Sequence, residues 1–216
     1  VRFPDVLCFS HQRWGFIFDR PHHLMLRFAR SRRVFFVEEP VFDAPASHAI
    51  VKCVEGVHVV VPHLSPEMDG DAALLEQQRL IGAVLHGYEV DAPLAWFYTP
   101  MALPLIEPLE TSGIVFDCME DFSTRPDAPV ELGEREAELV SRADVVFMGG
   151  QALHETKQYL HPRVHVSAGS VDVSHFSTAH IATRTPIDQQ RIPRPRVGYS
   201  GVIDWRVDLE LVREIA

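Results

Sequence analysis

The chain has 216 residues, enough to bury a full core as one large domain or as one domain with part of another. Its 46% hydrophobic and 23% charged content is that of an ordinary globular protein, not of a disordered or fibrous one. A net charge of -10 leaves no basic footprint for a phosphate backbone, so nucleic acid is not an expected partner.

Taken in chain order, the apolar runs are "DVLCFS", "RVFFVEE", "VHVVVP", "LAWFYT", "GIVFDCM", "DVVFMGG" and "RVHVSAG". Most are continuous rather than alternating, as expected of strands covered on both faces of a parallel sheet. Helical stripes lie between several of them: Leu24, Met25, Phe28 and Ala29; then Leu74, Ile81, Val84 and Leu85; then Val130, Ala137 and Val140. Strand–helix alternation predicts an α/β fold, a Rossmann-like doubly wound sheet of about seven mainly parallel strands ending near residue 176. Residues 177–194 are polar, carry two prolines with a third at Pro195, and hold no period, so they read as a linker. Residues 195–216 read as a strand, a turn holding Gly198 and Gly201, and the start of a helix. That pattern is expected of the first βα unit of a second domain.

No run approaches the roughly 20 apolar residues that span a bilayer, and the N-terminus has no signal-peptide pattern. A soluble, cytoplasmic protein is expected. Cys8, Cys53 and Cys118 are too scattered for a disulfide framework or a zinc site, and Cys8 and Cys118 sit inside strand-like runs as small hydrophobes. Neither a metal nor a cofactor is expected. The chain has no G-x-G-x-x-G, Walker A or G-x-S-x-G motif, which counts against a nicotinamide dehydrogenase, a P-loop NTPase and an α/β-hydrolase.

In parallel α/β sheets, ligands bind beyond the carboxyl ends of the strands. The first strand runs into "SHQRWGFIFDRPHHL", too long and too chemically loaded for a purely structural βα turn. Asp19 or Arg20 would cap the helix and Pro21 suits its first turn. His11, Trp14, Arg20, His22 and His23 would then surround a crevice, Trp as a flat face and Arg as a rigid fork for an anion. The alternative is a loop packed on the domain, with His22 and His23 solvated. An arginine in a helix's first turn opposes the macrodipole, so Arg20 calls for a ligand or a carboxylate partner. In "FDCMEDFS", Asp117, Glu120 and Asp121 follow a strand directly and would bind sugar hydroxyls or act as a base, or merely cap a helix. Gly149 and Gly150 end another strand, where they admit a ligand to the backbone or make a tight turn.

These stretches resemble a family. The pieces W-x-F-x-x-x-R-P-x-H-L, F-D-C-M-x-D and V-D-x-x-x-F follow one another as in bacterial GT-B glycosyltransferases of the exopolysaccharide type, and the resemblance covers nearly the whole chain. Trp14, Arg20, Pro21, His23, Asp117, Asp121, Val171, Asp172 and Phe176 match its pattern, whereas Gly15, Asp19, His22 and Gly169–Ser170 depart from it. Some relatives are joined to a UDP-galactopyranose mutase, whose flavin-binding fingerprint is absent here. The resemblance implies an acceptor-side N-terminal domain and a donor-binding C-terminal domain begun at residue 195. It places Asp172, Gly198 and Gly201 between the two domains. It implies sugar transfer from a nucleotide-sugar donor, bound through the C-terminal domain, to a saccharide or lipid-linked acceptor in surface polysaccharide synthesis. A lipid-linked acceptor would bring peripheral membrane contact. On this reading the 216-residue chain alone is inactive. The alternatives are a non-catalytic sugar or sugar-nucleotide binding module, and an N-terminal partner domain of a mutase fusion.

Overall fold

The run Val6–Ser10 is buried along its whole length. A strand apolar on both faces needs cover on both sides, which places it mid-sheet. The computed structural model has it there. The structure describes residues 3–122, 129–178, 181, 185–199, 201, 203 and 207–215. Strands are β1 (Val6–Ser10), β2 (Val34–Glu38), β3 (Val41–Phe42), β4 (His48–Val54), β5 (Val57–Leu64), β6 (Leu94–Phe97), β7 (Gly113–Cys118), β8 (Val145–Met148) and β9 (Val164–Val166). Helices are α1 (Arg20–Phe28), α2 (Gly70–Gly87), α3 (Leu132–Arg142), α4 (Gln151–Lys157), α5 (Val173–Ser177) and α6 (Leu209–Ile215), with a 3₁₀ helix over Pro100–Ile106.

The nine-stranded sheet runs β3-β5-β2-β1-β6-β7-β8-β9, with β4 added on β5. All its pairings are parallel except that of β4 with β5. The strand order reverses direction at β1, which lies between β2 and β6. That is the switch point, where an open α/β sheet leaves a crevice above its carboxyl ends.

Each face of the sheet has its own core. Leu7, Phe9, Phe35, Val37, Phe97 and Phe116 pack under α2, the 3₁₀ helix and α3. Cys8, Val34, Phe36, Trp96, Tyr98 and Val115 pack under α1, whose Met25 is fully buried. The α1 and α2 stripes read from the sequence face these cores. Of the α3 stripe only Val140 does: Val130 is 93% exposed and precedes the helix, Ala137 is exposed, and the other buried residues of α3 are Leu132 and Leu139.

Two strands exceed the expected seven. β4 is half exposed and pairs with β5 through the turn at Glu55–Gly56, both with positive φ (51° and 90°) as a two-residue hairpin turn requires. β3 continues the line of β2 along β5, but with a slip of one residue: Val34 pairs with Val57 and Val41 with His63. The break falls at Glu39–Pro40, where proline has no N–H to give the ladder.

The chain divides into two units, Val1–Ser170 and Val171–Ala216, where the sequence placed the first boundary at 176. The second unit has α5, a 3₁₀ turn at Ile187–Gln189 within the expected linker, and α6. The expected strand after residue 195 is absent among the described residues, since a lone strand has no ladder to join. Among the described residues, no helix is long and apolar enough to cross a membrane.

At the amino edge, His58 lies between Phe35 (4.9 Å, stacked) and Tyr88 (4.9 Å, edge-on), beside the Arg33–Asp5 pair and Glu89. Burial, aided by the Arg33 charge, lowers its pKa from 6.5. The folded state therefore favours neutral His58. Its stability is complete above 6.5 and falls as pH drops through that value toward the folded pKa. Thermal melts between about pH 7 and pH 5 should show this loss, and His58→Phe should flatten it. An unchanged slope in the variant would assign the loss to other groups.

Candidate functional site

Asp19 is the cap of α1: its side chain accepts from Arg20 N at 2.7 Å, and Pro21 follows in the first turn. The capping box closes through His22, whose Nδ1 accepts from Asp19 N at 3.0 Å. That leaves Nε2 to carry the proton and donate to the Trp14 carbonyl at 2.9 Å. His22 is fully buried and spans the loop's two arms. It is neither solvated nor turned toward a crevice. Glu38, buried at the end of β2, grips the same loop, accepting from Trp14 N at 2.7 Å and from Arg13 Nη1 at 2.9 Å. The Trp14 indole then lies edge-on to Phe36 at 5.0 Å.

Arg20 finds its carboxylate partner. Its guanidinium donates to both oxygens of Asp117, Nη2 to Oδ1 at 2.6 Å and Nε to Oδ2 at 3.2 Å, and Nη1 donates to the Ser167 carbonyl. Asp117 is wholly buried and the Arg20 side chain is 16% exposed. Burial pushes the Asp117 carboxyl above the usual carboxylate value, and Arg20 pulls it back without cancelling. The buried Trp96 Nε1 and Tyr98 Oη add smaller downward pulls, although neither completes a hydrogen bond of normal geometry. One salt bridge thus joins the first loop, the end of β7 and the segment after β9.

The other residues singled out from the sequence gather at the same carboxyl edge. His11 Nε2 lies 3.8 Å from Glu120 Oε1, and its ring is edge-on to Phe122. His23 is half-buried, with its ring edge-on to Phe18 at 4.6 Å. Asp121 Oδ1 is 3.2 Å from Lys157 Nζ, which also donates to Glu136 Oε1 at 2.5 Å. Burial draws the Lys157 ammonium down, but Glu136 outweighs it and leaves the pKa raised. Burial, with Glu136 nearby, pushes the Cys118 thiol up to about 12, which leaves no thiolate for chemistry. Gly149 admits another strand end rather than a ligand, since a Cβ there would meet Met119 O at 2.7 Å. Gly150 caps α4 in open space. In the second unit, Asp172 caps α5 by accepting from His175 N. A Cβ on Gly201 would approach Tyr199 Oη at 2.9 Å, and Gly198 is open. No group of metal-ligating side chains occurs among the described residues.

Sequence reasoning missed Glu38, Arg13 and a cavity of about 300 Å³ at the switch point, on the α2 side of the sheet. The cavity lies over the carboxyl ends of β1 and β2 and under Thr99, just beyond β6.

No family model and no curated protein matches the chain. Solved structures do. An alpha,alpha-trehalose-phosphate synthase (UDP-forming) from Burkholderia vietnamiensis superposes with a TM-score of 0.59 at 12% identity, covering 88% of this chain and 53% of that one. A trehalose-6-phosphate protein from E. coli bound with UDP-2-fluoro glucose gives 0.58 at 10% identity, over 85% of this chain and 52% of that one. The Burkholderia multivorans synthase gives 0.52 at 12%, over 88% and 55%. What this chain shares with them is a Rossmann-like α/β fold. At such identities the likeness is one of fold, and this chain spans about half the length of these structures.

Two outcomes follow for stability. Arg20→Ala leaves Asp117 buried without its partner and should cost about 3–5 kcal/mol in denaturant unfolding, whereas Arg20→Leu with Asp117→Leu recovers most of it. A loss below about 1 kcal/mol in the single variant would show a salt bridge too solvated to matter. Gly149→Ala should also destabilise clearly, because the clash is with backbone and not with a flexible side chain.

Proposed function

We propose that this chain is the acceptor-side part of a glycosyltransferase that moves a sugar from a nucleotide-sugar donor to a saccharide or lipid-linked acceptor, in the synthesis of surface polysaccharide. The observation that carries this reading is the Rossmann-like sheet of the first unit, a fold shared with solved UDP-forming synthases over about half their length, with a small open cavity at its switch point. The named substrates of the structural neighbours support a uridine diphosphate sugar as donor. The reaction is displacement at the anomeric carbon with the nucleoside diphosphate as leaving group. Its departing charge needs cationic side chains or helix N-termini. In the first unit, Arg20 and Lys157 are already paired with Asp117, Asp121 and Glu136, so these two cations do not serve that task. The first unit contributes acceptor orientation: a loop fixed by Asp117 and Glu38, with His11 and His23 at the carboxyl edge.

Incubating the full-length protein with uridine and guanosine diphosphate sugars and a membrane glycolipid extract should release nucleoside diphosphate in step with acceptor glycosylation. The 216-residue chain alone should give no transfer, and calorimetry should find no nucleotide sugar bound at about micromolar strength. Specific micromolar binding by this chain would reverse the assignment of donor and acceptor sides.

A further inference from the structure

The motif-bearing loop lies against the α1 face of the sheet, but the cavity opens on the other face. Its floor is apolar: Phe9, 1% exposed and stacked on Phe97 at 5.0 Å, with Val37 and Leu105. At the mouth, Phe42 is 47% and Met101 40% exposed, two large apolar side chains left without cover. A volume of about 300 Å³ is at the lower end for small-molecule sites and has room for one sugar ring.

The polar groups on this wall lack any positive charge. Ser10 and Thr99 are buried hydroxyls whose oxygens already accept, from Gln12 N and Met101 N, so each keeps its O–H to donate. Gln77 gives its Nε2 to Ala73 O, which leaves its carbonyl oxygen as an acceptor. The Glu38 carboxylate is neutralised by Arg13, but Glu39 at the strand break is exposed and forms no ion pair among the described residues. No lining residue is Lys, Arg or His. Donors and acceptors over an apolar face suit a neutral, hydroxyl-rich ring. A phosphate placed here would meet the exposed Glu39 carboxylate, and the adjacent guanidinium, that of Arg13, is already taken up by Glu38 and the Pro40 carbonyl.

We propose that this cavity is a subsite for one uncharged monosaccharide unit. The C–H face of the ring lies on Phe42 and Met101, its hydroxyls meet Ser10, Thr99, Gln77 and Glu39, and phosphorylated sugars are turned away. The choice of sugar as ligand class rests on the proposed function; the rejection of phosphate rests on the lining alone.

The test is an NMR titration of the 216-residue chain with methyl α-glucopyranoside, methyl β-galactopyranoside, methyl α-mannopyranoside and glucose 6-phosphate. At least one neutral glycoside should shift the amide signals of Ser10, Thr99 and Ala102 saturably, and glucose 6-phosphate should bind about tenfold more weakly or not at all. Glu39→Lys should raise the ratio of phosphate-sugar to neutral-sugar affinity by about tenfold. Ala102→Phe fills the cavity and should abolish binding. Met101→Ala at the exposed mouth serves as the second variant and should weaken binding even if Ala102→Phe does not fold. Absence of saturable shifts with every neutral glycoside overturns the proposal. So does glucose 6-phosphate binding as tightly as they do, or an unchanged ratio in Glu39→Lys. Sugar transfer by the full-length protein without glycoside binding here would sink this inference and spare the proposed function. Glycoside binding without transfer would do the reverse.

Discussion

A carboxylate taken wholly out of water organises the carboxyl edge of this protein. Asp117 sits among Cys8, Trp96 and Tyr98 on a face that is otherwise apolar, and only the fork of Arg20 makes its burial tolerable. Arg20 opens α1, so the salt bridge fixes where that helix begins. It also touches the Ser167 carbonyl, so the segment after β9 is held to the same point. Glu38 and His22 act in the same sense on the loop between Ser10 and Asp19. A connection of this length would ordinarily be loose. Here it is set by buried polar groups whose partners cannot be removed singly without cost.

This division of labour separates the two sides of the edge. On the α1 side, charged residues satisfy one another and build a wall. On the α2 side, the lining is plain, partly apolar and open. The motifs that stand out in the sequence therefore mark buried polar groups that satisfy one another, whereas the open cavity lies next to them, across β1.

The strands were legible because burial on both faces produces unbroken apolar runs; β1, β2 and β6 to β8 all follow that rule. β4 was not, because a half-exposed strand next to a Glu–Gly turn has neither an unbroken run nor the Asn–Gly signature of a hairpin. The third helical stripe misled because Val130 precedes the helix it was counted in. In the candidate site, placement at strand ends could be read, but partnership could not. Arg20 and Asp117 are 97 residues apart, and nothing local in either segment names the other. The macrodipole argument required only that some carboxylate or ligand exist. Glu38 passed unnoticed as the last polar residue of an apolar run. The cavity escaped because its lining comes from ordinary residues of separate segments, each unremarkable in its own context.

The slip between β2 and β3 has a consequence for how such a protein diverges. Wherever a residue sits in a ladder, its replacement must respect register, pleat and neighbours, so change is slow and coupled. Glu39 occupies the gap where two short ladders fail to meet, ahead of a proline that forms no ladder bond. Its side chain is thus released from the sheet's geometric obligations while standing at the mouth of the cavity. Sign and size at this position can therefore be changed without a compensating change in the core. A single discontinuity in strand pairing makes ligand preference separable from folding.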